Sequence, residues 1–71
     1  MTRTMPIVKA MLSRRTRPIP FAELLTATGV KPNSLSMTLW RLAQRGEVVR
    51  LDVRGQPVTR RHGVTKLVSL P

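Results

Sequence analysis

Two short helical patterns, separated by a glycine and followed by a strand-like run, occupy residues 19–51. The first pattern covers residues 20–28, and Gly29 is expected to end it because glycine adopts a left-handed conformation without steric cost. The second begins at Pro32, which suits a first helical turn because its missing N–H would have no intrahelical partner. Apolar residues then recur at spacings of four and three and are predicted to share one helix face: Leu35, Leu39 and Leu42.

A turn of three or four residues with a glycine, placed between two helices, is typical of a helix-turn-helix, in which the first helix braces the second against DNA. Short helical hairpins also occur in proteins that do not bind nucleic acid. The helical pattern alone therefore leaves the function open. The net charge of the chain is the further evidence that bears on nucleic-acid binding.

The charge of the chain is strongly one-sided. Thirteen Lys and Arg stand against three Asp and Glu, for a formal net charge of +10 on 71 residues. Such an excess gains free energy by displacing counterions from a polyanion such as nucleic acid. An anionic membrane is the competing partner, but it usually requires a basic amphipathic helix with Trp, Phe or Leu on its apolar face, which is not evident here.

The length of the chain suits one domain with a thin, largely aliphatic core. With no cysteine, the chain has no disulfide and no thiolate metal site. No apolar run approaches the roughly 20 residues that span a bilayer, and the start lacks a signal-peptide pattern. We therefore expect a soluble, unexported, cytoplasmic protein with no membrane partner.

Ahead of the two central helices, residues 5–14 have helical spacing and predict a first helix. The segment RRTRPIP that follows carries two prolines, each of which disfavours helix in the residue before it. Its three arginines allow two interpretations, a solvated loop or a set of phosphate contacts: Arg14, Arg15 and Arg17.

At the C-terminal end, residues 47–53 and 64–70 are rich in Val and Leu and predict two strands. Between them, residues 54–63 form a long hairpin tip that contains two glycines, a proline and a dense positive charge. Loops of this length are uncommon in small domains unless they are functional or mobile. The basic residues of the tip are Arg54, Arg60, Arg61 and His62.

Polar residues of the third helix are predicted to face away from the leucines. An Asn side chain can pair with adenine, Arg with guanine and Ser with either, while Met37 can contact a thymine methyl group. A polar outer face is, however, common to amphipathic helices. Trp40 is the exception, because this single tryptophan is placed opposite the leucines, where it could contact DNA, a protein partner or the chain's own hairpin.

Catalysis is not indicated by the reactive residues of the chain. His62 is the only histidine, and the three carboxylates, Glu23, Glu47 and Asp52, are scattered along the sequence. Glu23 is placed in the first turn of a helix, where a carboxylate meets unpaired N–H groups. We expect no enzyme activity, no metal and no cofactor.

The order helix, helix, turn, helix, strand, basic loop, strand resembles the winged helix-turn-helix family of DNA-binding domains. The most specific match is FAELLTATGVKPNSLSMTLWRLAQRGEVVRL, with a threonine-glycine-aliphatic turn, an aliphatic triplet, and a glycine before an aliphatic strand. The resemblance implies an α+β fold with three helices (about 5–14, 20–28 and 32–45) and a C-terminal β-hairpin wing (about 47–70). It also implies that the third helix enters the major groove, with the wing tip along the minor groove or phosphates.

The predicted function is sequence-specific binding of double-stranded DNA by a small transcription regulator, nucleoid-associated when bound, of the kind that phages and mobile elements encode. We expect a monomer or a weak homodimer. Two alternatives stay open: a protein-interaction module that uses the Met37 and Trp40 face to inhibit or recruit a nucleic-acid enzyme, and a binder of structured RNA. The predicted base or groove contacts are Asn33, Ser34, Ser36, Met37, Trp40 and Arg41; the wing contacts are Arg54, Arg60, Arg61 and His62; the phosphate contacts are Arg14, Arg15, Arg17, Lys31 and Arg45.

Overall fold

A computed structural model describes residues 4–14 and 17–71, and in these residues three helices and a three-stranded antiparallel sheet share one hydrophobic core. The α+β class and the three helices predicted from the sequence are confirmed. The elements in chain order are α1 (Thr4–Ser13), β1 (Ile19–Pro20), α2 (Phe21–Thr28), α3 (Pro32–Gln44), β2 (Val49–Leu51) and β3 (Leu67–Ser69).

The connection between α2 and α3 is a tight turn at Gly29. This glycine has a φ of 68°, in the left-handed region that other residues adopt at a cost, and its N–H donates to the carbonyl of Leu25 over 2.8 Å. After two further residues Pro32 opens α3, and no side chain caps the N-terminus of that helix. The turn therefore depends on glycine and proline backbone geometry.

The C-terminal end of α3 is closed by a Schellman motif. Gly46 has a φ of 73°, its N–H donates to the carbonyl of Ala43, and the N–H of Glu47 donates to the carbonyl of Leu42. The motif reverses the chain over a few residues. Val48 thereby returns to the core, and β2 begins directly after it.

The sheet contains a strand that the sequence analysis did not predict. Its order is β1-β3-β2, with Ile19 opposite Val68 and Arg50 opposite Val68 on the other side. A description as a two-stranded hairpin is therefore incomplete. The two residues of β1 lie in a proline-rich segment, and they become a strand because β3, which follows almost fifty residues later, provides their hydrogen-bonding partner.

The predicted strands are also shorter than their apolar runs. The ladder between β2 and β3 covers three residues on each strand, whereas the apolar runs cover residues 47–53 and 64–70. Val53 lies in a turn with 77 % of its surface exposed, and Val64 and Leu70 are exposed as well. Apolar composition alone therefore overestimated the length of both strands. In the first run, β2 ends at Leu51 because the side chain of Asp52 caps a turn directly after it.

The hydrophobic core lies between the helices and the inner face of the sheet. The leucines of α3 are fully buried, as their spacing predicts, and they contact residues from α1, α2 and the sheet. Outward-facing residues of α3 are consequently held in a defined orientation. The buried core residues are Val8, Leu12, Ile19, Leu24, Leu35, Leu39, Leu42, Val48 and Val68.

Candidate functional site

The β2–β3 loop, residues 52–66, follows a path that differs from the single long hairpin tip expected from the sequence. Asp52 turns the chain at once, because its Oδ1 accepts the N–H groups of Arg54 (2.8 Å) and Gln56 (2.9 Å). The returning chain pairs Pro57 with Leu51, and the N–H of Val58 donates to the carbonyl of Arg50 over 2.7 Å. Residues 56–58 therefore run along the edge of β2 that β3 leaves open.

Beyond Val58 the β2–β3 loop makes a second turn, which is closed by a hydrogen bond from the N–H of Gly63 to the carbonyl of Arg60 (3.2 Å). This second turn contains Arg61 and His62, both exposed. The route along β2 brings the turn next to α3, rather than extending it into solvent away from the helices.

Arg61 joins the β2–β3 loop to the outer face of α3. Its guanidinium carbon lies 4.9 Å from the centroid of the Trp40 ring, within the range of a cation–π interaction. Its Nη2 also lies 3.6 Å from the sulfur of Met37, a weak acceptor. Of the three contacts that the sequence leaves open for Trp40, the structure contains the one with the chain's own loop, and both Met37 and Trp40 are half-buried.

A cleft of about 280 Å³ lies between α3 and the second turn of the loop. One wall offers polar groups of α3, and the opposite wall offers a guanidinium and an imidazole. The lining also has an apolar part, to which the indole of Trp40 and the side chain of Met37 contribute. The cleft therefore brings together six of the residues predicted from the sequence: Asn33, Ser36, Met37, Trp40, Arg61 and His62.

The remaining predicted residues do not line this cleft. Four of them are exposed side chains on α3 and on the loop: Ser34, Arg41, Arg54 and Arg60. Arg14, Arg17 and Lys31 are also exposed, and Arg15 lies outside the described residues.

Arg45, predicted to contact phosphate, has a carboxylate partner in the structure. Its Nη1 lies 3.5 Å from Glu47, which also forms an ion pair of 2.6 Å with Lys9 of α1. Hydrogen bonding to the Lys9 ammonium, together with the charges of both cations, lowers the pKa of Glu47 below its ordinary value of 4.5. This ion-pair group connects α1 to the chain after α3, and it reduces the positive charge that Arg45 can offer to a ligand.

Arg50 is a residue to which the sequence analysis assigned no role. It lies in β2 with 3 % of its surface exposed, and burial lowers the pKa of its guanidinium from the ordinary value. Its three hydrogen bonds go to backbone carbonyls of the β2–β3 loop. The sequence did contain a signal for this burial. Successive side chains of a strand point to opposite faces, so Arg50, two residues after the buried Val48, is expected on the same face.

In comparisons with protein family models, characterised proteins and solved structures, the chain matches none of them. Within residues 4–14 and 17–71, no helix is both long and apolar enough to cross a bilayer. The same residues contain no cluster of three or more His, Asp or Glu side chains arranged to hold a metal ion. The interpretation of the site therefore depends on its own geometry and charge.

Proposed function

We propose that this protein binds double-stranded DNA with sequence preference, and that it does so as a winged helix-turn-helix. In this proposal α3 is the recognition helix and the β2–β3 loop is the wing. The observation that carries the proposal is the contact of Arg61 with Trp40, because it joins a basic loop to the polar face of α3 and forms one continuous surface.

The chemistry of the cleft suits a nucleic acid. Asn33 and Ser36 offer hydrogen-bonding groups to base edges, and the half-buried Met37 offers an apolar contact to a thymine methyl group. Arg61 and His62 on the opposite wall provide donors for phosphate oxygens. Duplex recognition combines contacts to base edges with contacts to phosphates, and α3 and the loop offer these two kinds of group side by side.

The distribution of charge supports the same proposal. Glu47 is engaged by two cations, and Asp52 is engaged by the backbone of the turn that it caps. Among the described residues, no carboxylate lies within ion-pair distance of the arginines of α3 and the loop, which are Arg41, Arg54, Arg60 and Arg61. These charges are therefore available to neutralise phosphates.

The alternative of a protein-binding face loses support from the same contact. Arg61 covers part of the indole and approaches the Met37 sulfur, so the apolar area available to a protein partner is reduced. For a chain of this size and charge, we propose regulation of transcription as the biological role of DNA binding.

The test is a titration of the protein with duplex DNA at several salt concentrations, in which Trp40 fluorescence is the binding signal. We expect the fluorescence to respond at physiological salt, and the logarithm of the affinity to fall linearly with the logarithm of salt, by about 0.9 per phosphate contacted. Structured RNA of equal length is the competitor, and sequences selected from a random duplex pool report preference. Absence of any response to duplex, or preference for the RNA, would contradict the proposal.

A further inference from the structure

The β2–β3 loop is organised around a buried cation. Arg50 belongs to a row of residues across the inner face of the sheet, in register with Val68 and, beyond it, Ile19. The other two members of the row are fully buried aliphatic side chains, as expected for a core face. A positive charge in this row has a high desolvation cost, so its retention requires compensating hydrogen bonds.

Those hydrogen bonds all come from one segment of the chain. Nη2 of Arg50 donates to the carbonyls of Val58 (3.3 Å) and Arg60 (2.7 Å), and Nη1 donates to the carbonyl of Arg61 (3.3 Å). Among the described residues no carboxylate pairs with this guanidinium, and its Nε has no partner. Within residues 4–14 and 17–71, the hydrogen-bond partners of this charge are therefore all backbone carbonyls of the loop.

The second turn of the loop has few other restraints. Between Thr59 and Thr65, the one backbone hydrogen bond in the structure is that from Gly63 to Arg60. The backbone carbonyls of Arg60 and Arg61 accept hydrogen bonds from the guanidinium of Arg50. The side chains of Arg60 and Arg61 are exposed. Arg61 in turn reaches Trp40.

We propose that Arg50 is a positioning residue, an internal clamp that holds the second turn of the β2–β3 loop against α3 and thereby forms the cleft before any ligand arrives. Its contribution to DNA affinity rests on the proposed function, whereas the clamp itself is a property of the free protein. A guanidinium suits this role because its planar array of donors can reach several carbonyls at once, which an ammonium or an aliphatic side chain cannot do in the same geometry.

The experiment compares Arg50→Met and Arg50→Lys with Arg54→Met, which removes an exposed arginine of the same loop. Circular dichroism first establishes that each variant is folded. In the folded Arg50 variants we expect loss of the nuclear Overhauser contact between Arg61 and the Trp40 ring. Exchange of the Gly63 amide, which donates to Arg60 within the second turn, should accelerate by about ten-fold or more, the equivalent of one hydrogen bond to a charged group. Arg54→Met should retain both features, and a folded Arg50→Met protein that also retains both would overturn the proposal.

A measurement on the unchanged protein decides the case if the Arg50 variants do not fold. Nitrogen-15 spectra of the arginine side chains should resolve one guanidinium with restricted rotation and slowly exchanging Nη protons, assigned to Arg50. A rapidly rotating, rapidly exchanging Arg50 guanidinium would refute the clamp. Both experiments are done on the protein without DNA. Failure of the wild-type protein to bind duplex would therefore reject the proposed function without contradicting the proposed role of Arg50.

Discussion

The guanidinium of Arg61 lies over the ring of Trp40, with 4.9 Å between the guanidinium carbon and the ring centroid. These residues are separated by β2 and most of the β2–β3 loop, and their contact is what brings a basic turn onto the outer face of α3. The arrangement places the single tryptophan inside the candidate site, where it reports on that site directly.

Removal of this contact should change the environment of the indole with little effect on overall stability. We expect Arg61→Ala to raise the accessibility of Trp40 to a neutral quencher such as acrylamide, and to lower the free energy of unfolding by about 1 kcal/mol or less, the usual scale of an exposed cation–π pair. Arg60→Ala, which removes a neighbouring charge but no ring contact, is the matched control. Equal quenching in both variants would argue against the contact in solution.

Within the proposed function, loop and helix residues should affect DNA binding differently. Arg60→Ala combined with Arg61→Ala should weaken binding to all duplexes and reduce the salt slope by about 2, because phosphate contacts carry little sequence information. Lys66→Gln, which removes one exposed charge outside the cleft, serves as the charge control.

Asn33→Ala should instead reduce discrimination between preferred and random duplex, by about 1 to 3 kcal/mol if Asn33 makes a two-point contact with a base. The comparison requires affinities for both duplexes at one salt concentration. Equal losses on the two would show that Asn33 does not read sequence.

The turn between α2 and α3 should depend on the backbone conformation of Gly29. At a φ of 68°, Gly29→Ala is expected to lower the free energy of unfolding by about 1 kcal/mol, although open space surrounds the position. Gly29→Asn should cost less, because asparagine tolerates the left-handed region better than alanine does. Chemical denaturation of the two variants checks this order, and an equal or smaller loss for alanine would contradict it.

The ion-pair group at Glu47 should make stability dependent on pH in the acid range. Because the pKa of Glu47 is lowered in the folded state, its carboxylate contributes stability above about pH 4.5, the ordinary value, and this contribution is lost as the pH falls through the folded pKa. We expect Glu47→Gln to be less stable than wild type near neutral pH and to show a smaller loss on acidification. The measurement is denaturant unfolding at a series of pH values.

Lys9→Met provides the control for this titration, because it removes the shorter of the two ion pairs and leaves the carboxylate in place. Its pH dependence should lie between those of wild type and Glu47→Gln. A Glu47→Gln protein with the full acid sensitivity of wild type would assign that sensitivity to another group.

Much of the helical part of the fold could be read from the sequence because its determinants are local. The spacing of Leu35, Leu39 and Leu42 sets the buried face of α3 whatever partner covers it. Gly29 and Pro32 mark the turn through backbone conformations that few other residues tolerate. The basic residues of the loop were equally visible, since charge is a property of composition.

The sheet and the loop were predicted less accurately because their partners are distant in sequence. Nothing local in the proline-rich segment around Ile19 indicates pairing with Val68. The loop was expected to extend as one hairpin tip, but the cap at Asp52 and the carbonyl-binding Arg50 turn it back onto α3. The hydrogen bonds of Arg50 reach residues eight to eleven positions further along the chain, which residue patterns do not encode directly. The cap at Asp52 is local, and it is the part of the loop path that the sequence could have indicated.

The sequence by itself determined the helical faces, the glycine turns and the excess of positive charge, because each depends on a few adjacent residues or on composition. Only the tertiary structure decided that Trp40 lies beneath Arg61, that Arg45 is paired with Glu47, and that a buried guanidinium supports the loop. These relationships arise when the core brings distant segments within a few ångströms, where burial and hydrogen-bond geometry select the partners.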